Sequence, residues 1–342
     1  MIIYIGNSLS LHGNTPSSIE TLGKLLSVRY SILRVSNKHN KVLRWLDMMV
    51  AIIRHYRSTS VVLVDTYSSL GFYYALGAAM VCRLLSIPYI PILRGGNLKI
   101  RLRNNPFLSR FVFGGAKILI APSGYLLNTF QEFGFKNIEY IPNSIELGIY
   151  TMAKKEIIAP KLLWVRSFHS IYNPRMAVEV LKEIADQFPQ ATLCMVGPDR
   201  DGTLKQCQEI VQRYGLSDRV KFTGVLLKAE WINLSRDFNV FINTTTIDNT
   251  PVSVIEAMAL GLPVVSTNVG GIPYLIADNE NGLLVQSEDV DGMVEKIIRL
   301  INNPSEVDRI RMKARTLVET FDWESIKFKW FTLLDAFEKE AG

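Results

Sequence analysis

Two carboxylates with seven residues between them, Asp248 and Glu256, lie in the segment Phe241–Gly271, FINTTTIDNTPVSVIEAMALGLPVVSTNVGG. A strand ends at Asn243 and a polar loop follows. Thr250-Pro251 then reads as an N-cap with proline at the first helical position, opening a short helix that Gly261 ends. The start of a helix offers unpaired N–H groups and the positive end of a dipole, so a loop feeding one into a cleft is an anion or phosphate site. Composition alone reads Asp248 as a turn residue and Glu256 as a solvated helix carboxylate. Other candidates stand where strands end. Arg166 follows Leu163-Trp164-Val165, with His169 and Arg175 the next bases, and Arg94-Gly95-Gly96-Asn97 follows Tyr89–Leu93. The three cysteines and four histidines have no metal-ligand spacing, so no metal site is expected.

The elements that must hold these residues alternate in type. Apolar runs of strand length at Ile2–Ile5, Val61–Asp65, Tyr89–Leu93, Lys117–Ala121 and Ile138–Ile141 are separated by helical patterns. That alternation predicts a parallel sheet covered on both faces. It restarts at Lys161–Val165 after a Lys-rich connector near 152–160. A chain of 342 residues exceeds the size of one core, so two doubly wound α/β halves are expected. Ligands should bind outside the carboxyl ends of their strands, in the cleft between the halves. The domains are expected at 1–150 and 151–321, with 322–342 a closing helix. Its apolar face, Trp323, Ile326, Trp330, Phe331, Leu334 and Phe337, needs a groove. The apolar stretch Gly71–Leu93 contains Arg83 and is broken by Ser86-Ile-Pro, which argues against a membrane span.

The 241–271 segment resembles the donor-site signature of retaining family-4 glycosyltransferases of GT-B architecture (glycosyl transferases group 1). There an acidic residue and a Glu at this spacing precede Ala-Met-Ala-x-Gly-x-Pro-Val-Val, here Ala257–Val265. The likeness continues through Val269-Gly270-Gly271-Ile272-Pro273 and Asn281–Val285, and Pro142-Asn143-Ser144-Ile145 resembles the interdomain Pro-Asn-Gly-Val. The resemblance implies two Rossmann-like domains facing each other across a cleft, with the C-terminal helix packing back toward the N-terminal domain. It implies that Glu256 binds the donor ribose and that Asp248, where the family more often has Glu, contacts donor-sugar hydroxyls. Asn249, Thr250 and Val252 would complete that loop, and Gly197 and Gly224 would lie in nucleotide-facing loops. Arg166 matches the family's phosphate-binding Arg, while the Lys expected after it is absent and only His169 and Arg175 stand nearby. Gly13-Asn14 corresponds to a Gly-rich loop approaching the donor phosphates. Arg94 stands where the family often has His; with Asn143 it is a candidate contact to acceptor or phosphate.

The implied reaction is metal-independent hexosyl transfer with retention, from a UDP- or GDP-sugar to a saccharide or lipid-linked saccharide, in surface polysaccharide biosynthesis. The nucleotide-sugar is a co-substrate, and no cofactor is expected. Charge adds a partner. Residues 1–150 hold 16 Lys+Arg against 6 Asp+Glu, a balance of +10, and the remainder holds 22 against 26. A basic first half suits an anionic membrane surface, so a cytoplasmic protein peripheral on the inner face of the cell membrane is expected. The bases lack the aromatic interleaving of a nucleic-acid module, and no nucleic-acid partner is expected. A sugar-nucleotide epimerase on the same scaffold and a non-catalytic sugar-nucleotide-binding protein are the alternatives.

Overall fold

The computed structural model describes residues 1–9, 16–152, 157 and 159–339. The chain forms two compact units, Met1–Ser144 with Ile326–Gly342, and Ile145–Ser325. The first is built on β1 (Ile2–Ile5), β2 (Ile32–Val35), β3 (Val61–Thr66), β4 (Tyr89–Leu93), β5 (Leu119–Ala121) and β6 (Ile138–Tyr140). These lie in the order β2-β1-β3-β4-β5-β6, every neighbour parallel. β1, β3, β4 and β5 have no exposed residue, as strands covered by helices on both faces must. β2 has no such run because it is an edge strand, with Arg34 exposed. The connecting helices are α1 (Ser18–Leu26), α2 (Lys41–His55), α3 (Phe72–Leu84), α4 (Leu98–Asn104), α5 (Pro106–Gly114) and α6 (Gly124–Glu132). Strand order reverses between β1 and β3, which places the switch point of this sheet at Gly6 and Asp65.

The second unit repeats the plan. β7 (Lys161–Val165), β8 (Thr192–Val196), β9 (Val220–Gly224), β10 (Val240–Asn243), β11 (Val264–Thr267) and β12 (Leu283–Val285) lie in the order β12-β11-β10-β7-β8-β9, all parallel. Around them run α7 (Pro174–Ala185), α8 (Thr203–Arg213), α9 (Lys228–Leu234), α10 (Val252–Ala259), α11 (Val290–Asn302) and α12 (Pro304–Glu319). Here the order reverses between β7 and β10, so the switch point lies where Arg166 leaves β7 and the Thr244–Asn249 loop leaves β10.

The units divide at 144/145 and 325/326, whereas the sequence suggests 150/151 and 321/322. Residues 145–150 are held in the second unit by the chain that approaches the last helix. Ile145 N–H donates to the Phe321 carbonyl at 3.0 Å, and Trp323 N–H donates to the Ile145 carbonyl at 2.8 Å. The last helix, α13 (Trp323–Lys339), joins the first unit from Ile326 onward. There the Asp335 carboxylate accepts from Tyr30 Oη at 2.6 Å and Arg29 at 2.7 Å, and Phe331 meets the Tyr30 ring edge-on. Most of the Lys-rich connector, residues 153–156 and 158, lies outside the described residues.

Candidate donor site of the second unit

The local chemistry begins with glycines that let three loops approach one another. Gly197 leaves β8 at φ +146°, and a Cβ there would run into the Arg166 carbonyl. Its N–H donates to the Gly224 carbonyl at 2.9 Å, and Arg166 N–H donates to Val196 O at 3.0 Å. Gly270 (φ +54°) and Gly271 pass equally close to the Asp248 and Asn249 carbonyls, and Gly271 N–H donates to Asp248 O at 2.9 Å. The Gly-Gly pair after β11 is thus the floor on which the Asp248 loop rests, a position only glycine fills without displacing backbone.

On that floor Arg166 forms an ion pair with Asp248, Nη2 to Oδ2, with both side chains largely buried. The Asp248 Oδ1 accepts from Asn249 N–H at 2.8 Å, and the Arg166 guanidinium lies 4.3 Å from the Tyr172 ring centroid. Burial pushes the Arg166 guanidinium down from its ordinary value, and Tyr172 pulls it the other way. The loop bearing Tyr172 is fixed by consecutive threonines. Thr245 and Thr246 hydroxyls donate to the Ile171 carbonyl, and Thr244 Oγ1 lies 2.9 Å from the Tyr172 carbonyl while accepting from Trp164 Nε1 at 3.0 Å. Arg166 and Asp248 therefore meet because both follow strands at the switch point and their loops are bonded together.

α10 begins one residue later than the sequence suggests. Pro251, not Thr250, is the N-cap. Its ψ of 116° is extended, and its carbonyl accepts from Val254 N–H at 3.1 Å and Ile255 N–H at 3.3 Å. The proline ring fixes φ and leaves ψ free, so the helix starts at Val252. In its first turn the Ser253 hydroxyl is buried with no hydrogen-bond partner among the described residues. The helix ends in a Schellman motif. Leu262 N–H donates to Ala257 O and Gly261 N–H to Met258 O, with Gly261 at φ +74°. Two arginines of α12 neutralise this end. Arg311 Nε donates to Gly261 O at 2.6 Å and Arg315 Nη1 to Ala259 O at 2.6 Å.

Glu256 is buried on this helix and accepts at Oε1 from Tyr150 Oη, at 2.7 Å, and from Lys228 Nζ. Burial and the Glu256 charge push the Tyr150 phenol far up, so it stays a donor. Sequence reading misses Tyr150 and Lys228, which lie far from Glu256 in the chain and carry no motif. Of the two bases considered in place of the absent Lys, Arg175 is exposed and pairs with Glu179 on its own helix at 2.7 Å. His169 Nδ1 accepts from Ile171 N–H at 3.2 Å and lies 3.6 Å from Asp201.

The first unit brings Arg94, which follows β4, to Asp65 at its own switch point. Nε donates to Asp65 Oδ1 at 2.9 Å, Nη1 to Asn143 Oδ1 at 2.5 Å and Nη2 to Tyr4 Oη at 3.4 Å, while Tyr4 Oη donates to Asp65 Oδ1 at 3.0 Å. Burial raises the Asp65 pKa despite Arg94. For Arg94, burial works against the charge, but Asp65, Tyr4 and Tyr67 together outweigh it, so the guanidinium is held above its ordinary value. Asp65 and Tyr4 were not expected from sequence. They occupy strand interiors that read as apolar runs. Gly13 and Asn14 lie outside the described residues. Among the described residues no three His, Cys, Asp or Glu side chains are grouped to hold a metal ion, and no helix is long and apolar enough to cross a membrane.

Residues 154–317 match the family model of glycosyl transferases group 1. The chain is 30% identical over 156 residues to a sulfoquinovosyl transferase of Arabidopsis thaliana, covering 45% of this chain and 29% of that protein. It is 25% identical over 224 residues to a D-inositol 3-phosphate glycosyltransferase of Streptomyces griseus, covering 61% and 47%. The chain thus spans less than half the length of these two relatives. Its fold is similar to that of Anabaena HepE solved with UDP and glucose, at TM-score 0.77 and 17% identity, covering 98% of this chain and 99% of that one. It is also similar to sucrose-phosphate synthase of Thermosynechococcus elongatus, at TM-score 0.81 and 16% identity, covering 99% of both.

Proposed function

We propose, for a chain that belongs through its second unit to glycosyl transferases group 1 and has the GT-B fold, that it transfers a hexosyl group from a UDP- or GDP-sugar to a saccharide or lipid-linked saccharide acceptor. The observation that carries this reading is the pairing of Arg166 with Asp248 at the switch point of the second sheet. As the glycosidic bond breaks, the departing nucleoside diphosphate gathers negative charge. A buried guanidinium and the free N–H groups of the α10 start are preorganised to receive it. In that scheme Asp248 exchanges part of its hold on Arg166 for donor-sugar hydroxyls. Glu256, oriented by Tyr150 and Lys228, accepts from the ribose. The departing phosphate takes the proton of the acceptor hydroxyl, which attacks on the face that phosphate vacates, so configuration is retained. No residue is needed as a separate base, and no metal takes part. The basic first half fits a peripheral setting in surface polysaccharide biosynthesis, where the acceptor is lipid-linked.

The test is a panel of UDP-, GDP-, ADP- and dTDP-sugars, scored for hydrolysis and for protection against thermal unfolding, with and without EDTA. Protection by one nucleotide class that survives EDTA, and is lost in Arg166→Ala, is the expected result. No protection by any donor refutes the assignment, and activity abolished by EDTA refutes the metal-free scheme. An isomerised sugar still attached to its nucleotide would mean epimerisation instead.

A further inference from the structure

Large exposed apolar side chains are unevenly distributed. Fourteen of the 21 among the described residues fall between Val28 and Phe107, within the basic first unit. The densest run is on α2. Leu43, Leu46, Val50 and Ile53 recur at helical spacing and are 57%, 45%, 56% and 53% exposed. They form an outer stripe about 15 Å long. The inner side of the same helix is independently anchored, since Met48, Met49 and Ile52 are buried in the core. The stripe is therefore not a consequence of a loosely packed helix.

The exposed charges at its two ends have one sign. Lys41 precedes the stripe, and Arg54 and Arg57 follow it, all exposed. Asp47 is the sole acidic residue between Lys38 and Arg57, and its carboxylate accepts from the buried Ser36 hydroxyl at 2.5 Å. Trp45, at the margin, donates from Nε1 to the Tyr73 carbonyl at 3.2 Å, linking α2 to α3, whose Tyr73, Met80 and Leu84 are also exposed. An apolar stripe with exposed cations at both ends, and a single carboxylate along it that is engaged by Ser36, is mismatched to water, and it would set like charges against each other in a symmetric pairing of two copies. It matches a surface that is anionic at its boundary and apolar beneath.

We propose that the outer face of α2 docks the protein on an anionic phospholipid bilayer. The helix lies in the interfacial plane, with Leu43, Leu46, Val50 and Ile53 entering the acyl boundary and Lys41, Arg54 and Arg57 against lipid phosphates. This deepens the peripheral setting given above and rests on it only for its meaning. The geometry of α2 stands without the transferase reading.

The experiment is flotation of the full chain with phosphatidylcholine vesicles and with vesicles containing 30% phosphatidylglycerol. Two variants accompany it, Leu46→Gln/Ile53→Gln and Lys41→Gln/Arg54→Gln/Arg57→Gln. The wild-type chain should float with the anionic vesicles and not the neutral ones. The triple variant should lose partitioning by roughly fivefold per cation removed, about a hundredfold in all. The double variant should lose binding that salt cannot restore. Both variants should keep the wild-type unfolding temperature and donor hydrolysis in vesicle-free buffer, which separates failure of docking from failure of the transferase site. Absence of flotation with anionic vesicles overturns the proposal, as does undiminished flotation of either variant. A wild-type dimer in solution that the double variant converts to monomer would assign the stripe to a second copy and overturn it equally.

Discussion

Gly271 offers a test of how the site is assembled, because its backbone is ordinary. At φ −88°, ψ −5° alanine is as comfortable as glycine, so Gly271→Ala introduces no conformational strain. What it introduces is a methyl group that overlaps the Asn249 carbonyl oxygen and lies 2.7 Å from the carbonyl carbon, where ordinary contact begins at 3.4 Å. The obstructing atoms are backbone, so the Asp248–Asn249 loop must retreat until that oxygen is in ordinary contact, lengthening the Gly271 N–H bond to Asp248 O. Overpacking of this kind costs about 1–3 kcal/mol. At ~2–4 °C per kcal/mol for a unit of this size, the unfolding temperature should fall by about 2 to 12 °C.

If the loop yields, the loss appears in function instead. A displacement of about 1 Å from productive geometry costs on the order of a hundredfold, so donor-hydrolysis kcat/KM should drop by about a hundredfold. Differential scanning calorimetry and steady-state donor hydrolysis together catch either outcome. Gly148→Ala is the control, since a Cβ at Gly148 meets nothing within 4 Å; it should change neither quantity. A Gly271→Ala protein with wild-type unfolding temperature and wild-type kcat/KM would refute the claim that the Gly-Gly pair supports the Asp248 loop.

Glu256→Gln keeps an acceptor for Tyr150 but removes the charge facing Lys228; donor affinity should fall about tenfold, the lower end for a charged hydrogen bond, with little change in unfolding temperature, as measured by titration calorimetry and thermal scans. Arg311→Met should destabilise by roughly 1.5–3 kcal/mol, because it leaves the Gly261 carbonyl without its buried cationic donor; denaturant melts read this directly, and an unchanged midpoint would exclude the capping role. Glu306 accepts from Arg299 at two oxygens, which holds its carboxyl below the ordinary 4.5. Its contribution is therefore complete above pH 4.5 and is lost as pH falls through the lowered value. Arg299 is partly exposed, so the amount is under about 1 kcal/mol, and Glu306→Gln should flatten the acid limb of the stability profile below pH 4.5.

The fold was legible where burial alone dictates sequence. β1, β3 and β4 sit inside a covered sheet and so appear as unbroken apolar runs, while β2, an edge strand with Arg34 exposed, does not. The helix carrying Glu256 was legible because its end is set by Gly261, but its start was not. Thr250 has the chemistry of a cap, and the extended ψ of Pro251 moves the cap onward by one residue. Side-chain pairing was the least legible. Nothing in the pattern of α9 marks Lys228 as a partner of Glu256, and nothing in β3 marks Asp65 as the anchor of Arg94, because such contacts are decided by which strand ends the topology brings together.

The glycine contacts explain why residues spread over a hundred positions behave as one motif. Gly197 admits the Arg166 carbonyl, Gly271 admits that of Asn249, and Gly261 closes the helix that presents Glu256. Gly197 and Gly271 each serve a residue from a different loop, so loss of either displaces a partner that lies elsewhere in the sequence. The unusual features of this chain fall between these fixed points. Asp248 still reaches Arg166 despite its short side chain, and Tyr172, in a loop tied down by Thr244–Thr246, faces the same guanidinium. A backbone framework set by glycine can accept such exchanges, because they alter what the loops present without altering where the loops run.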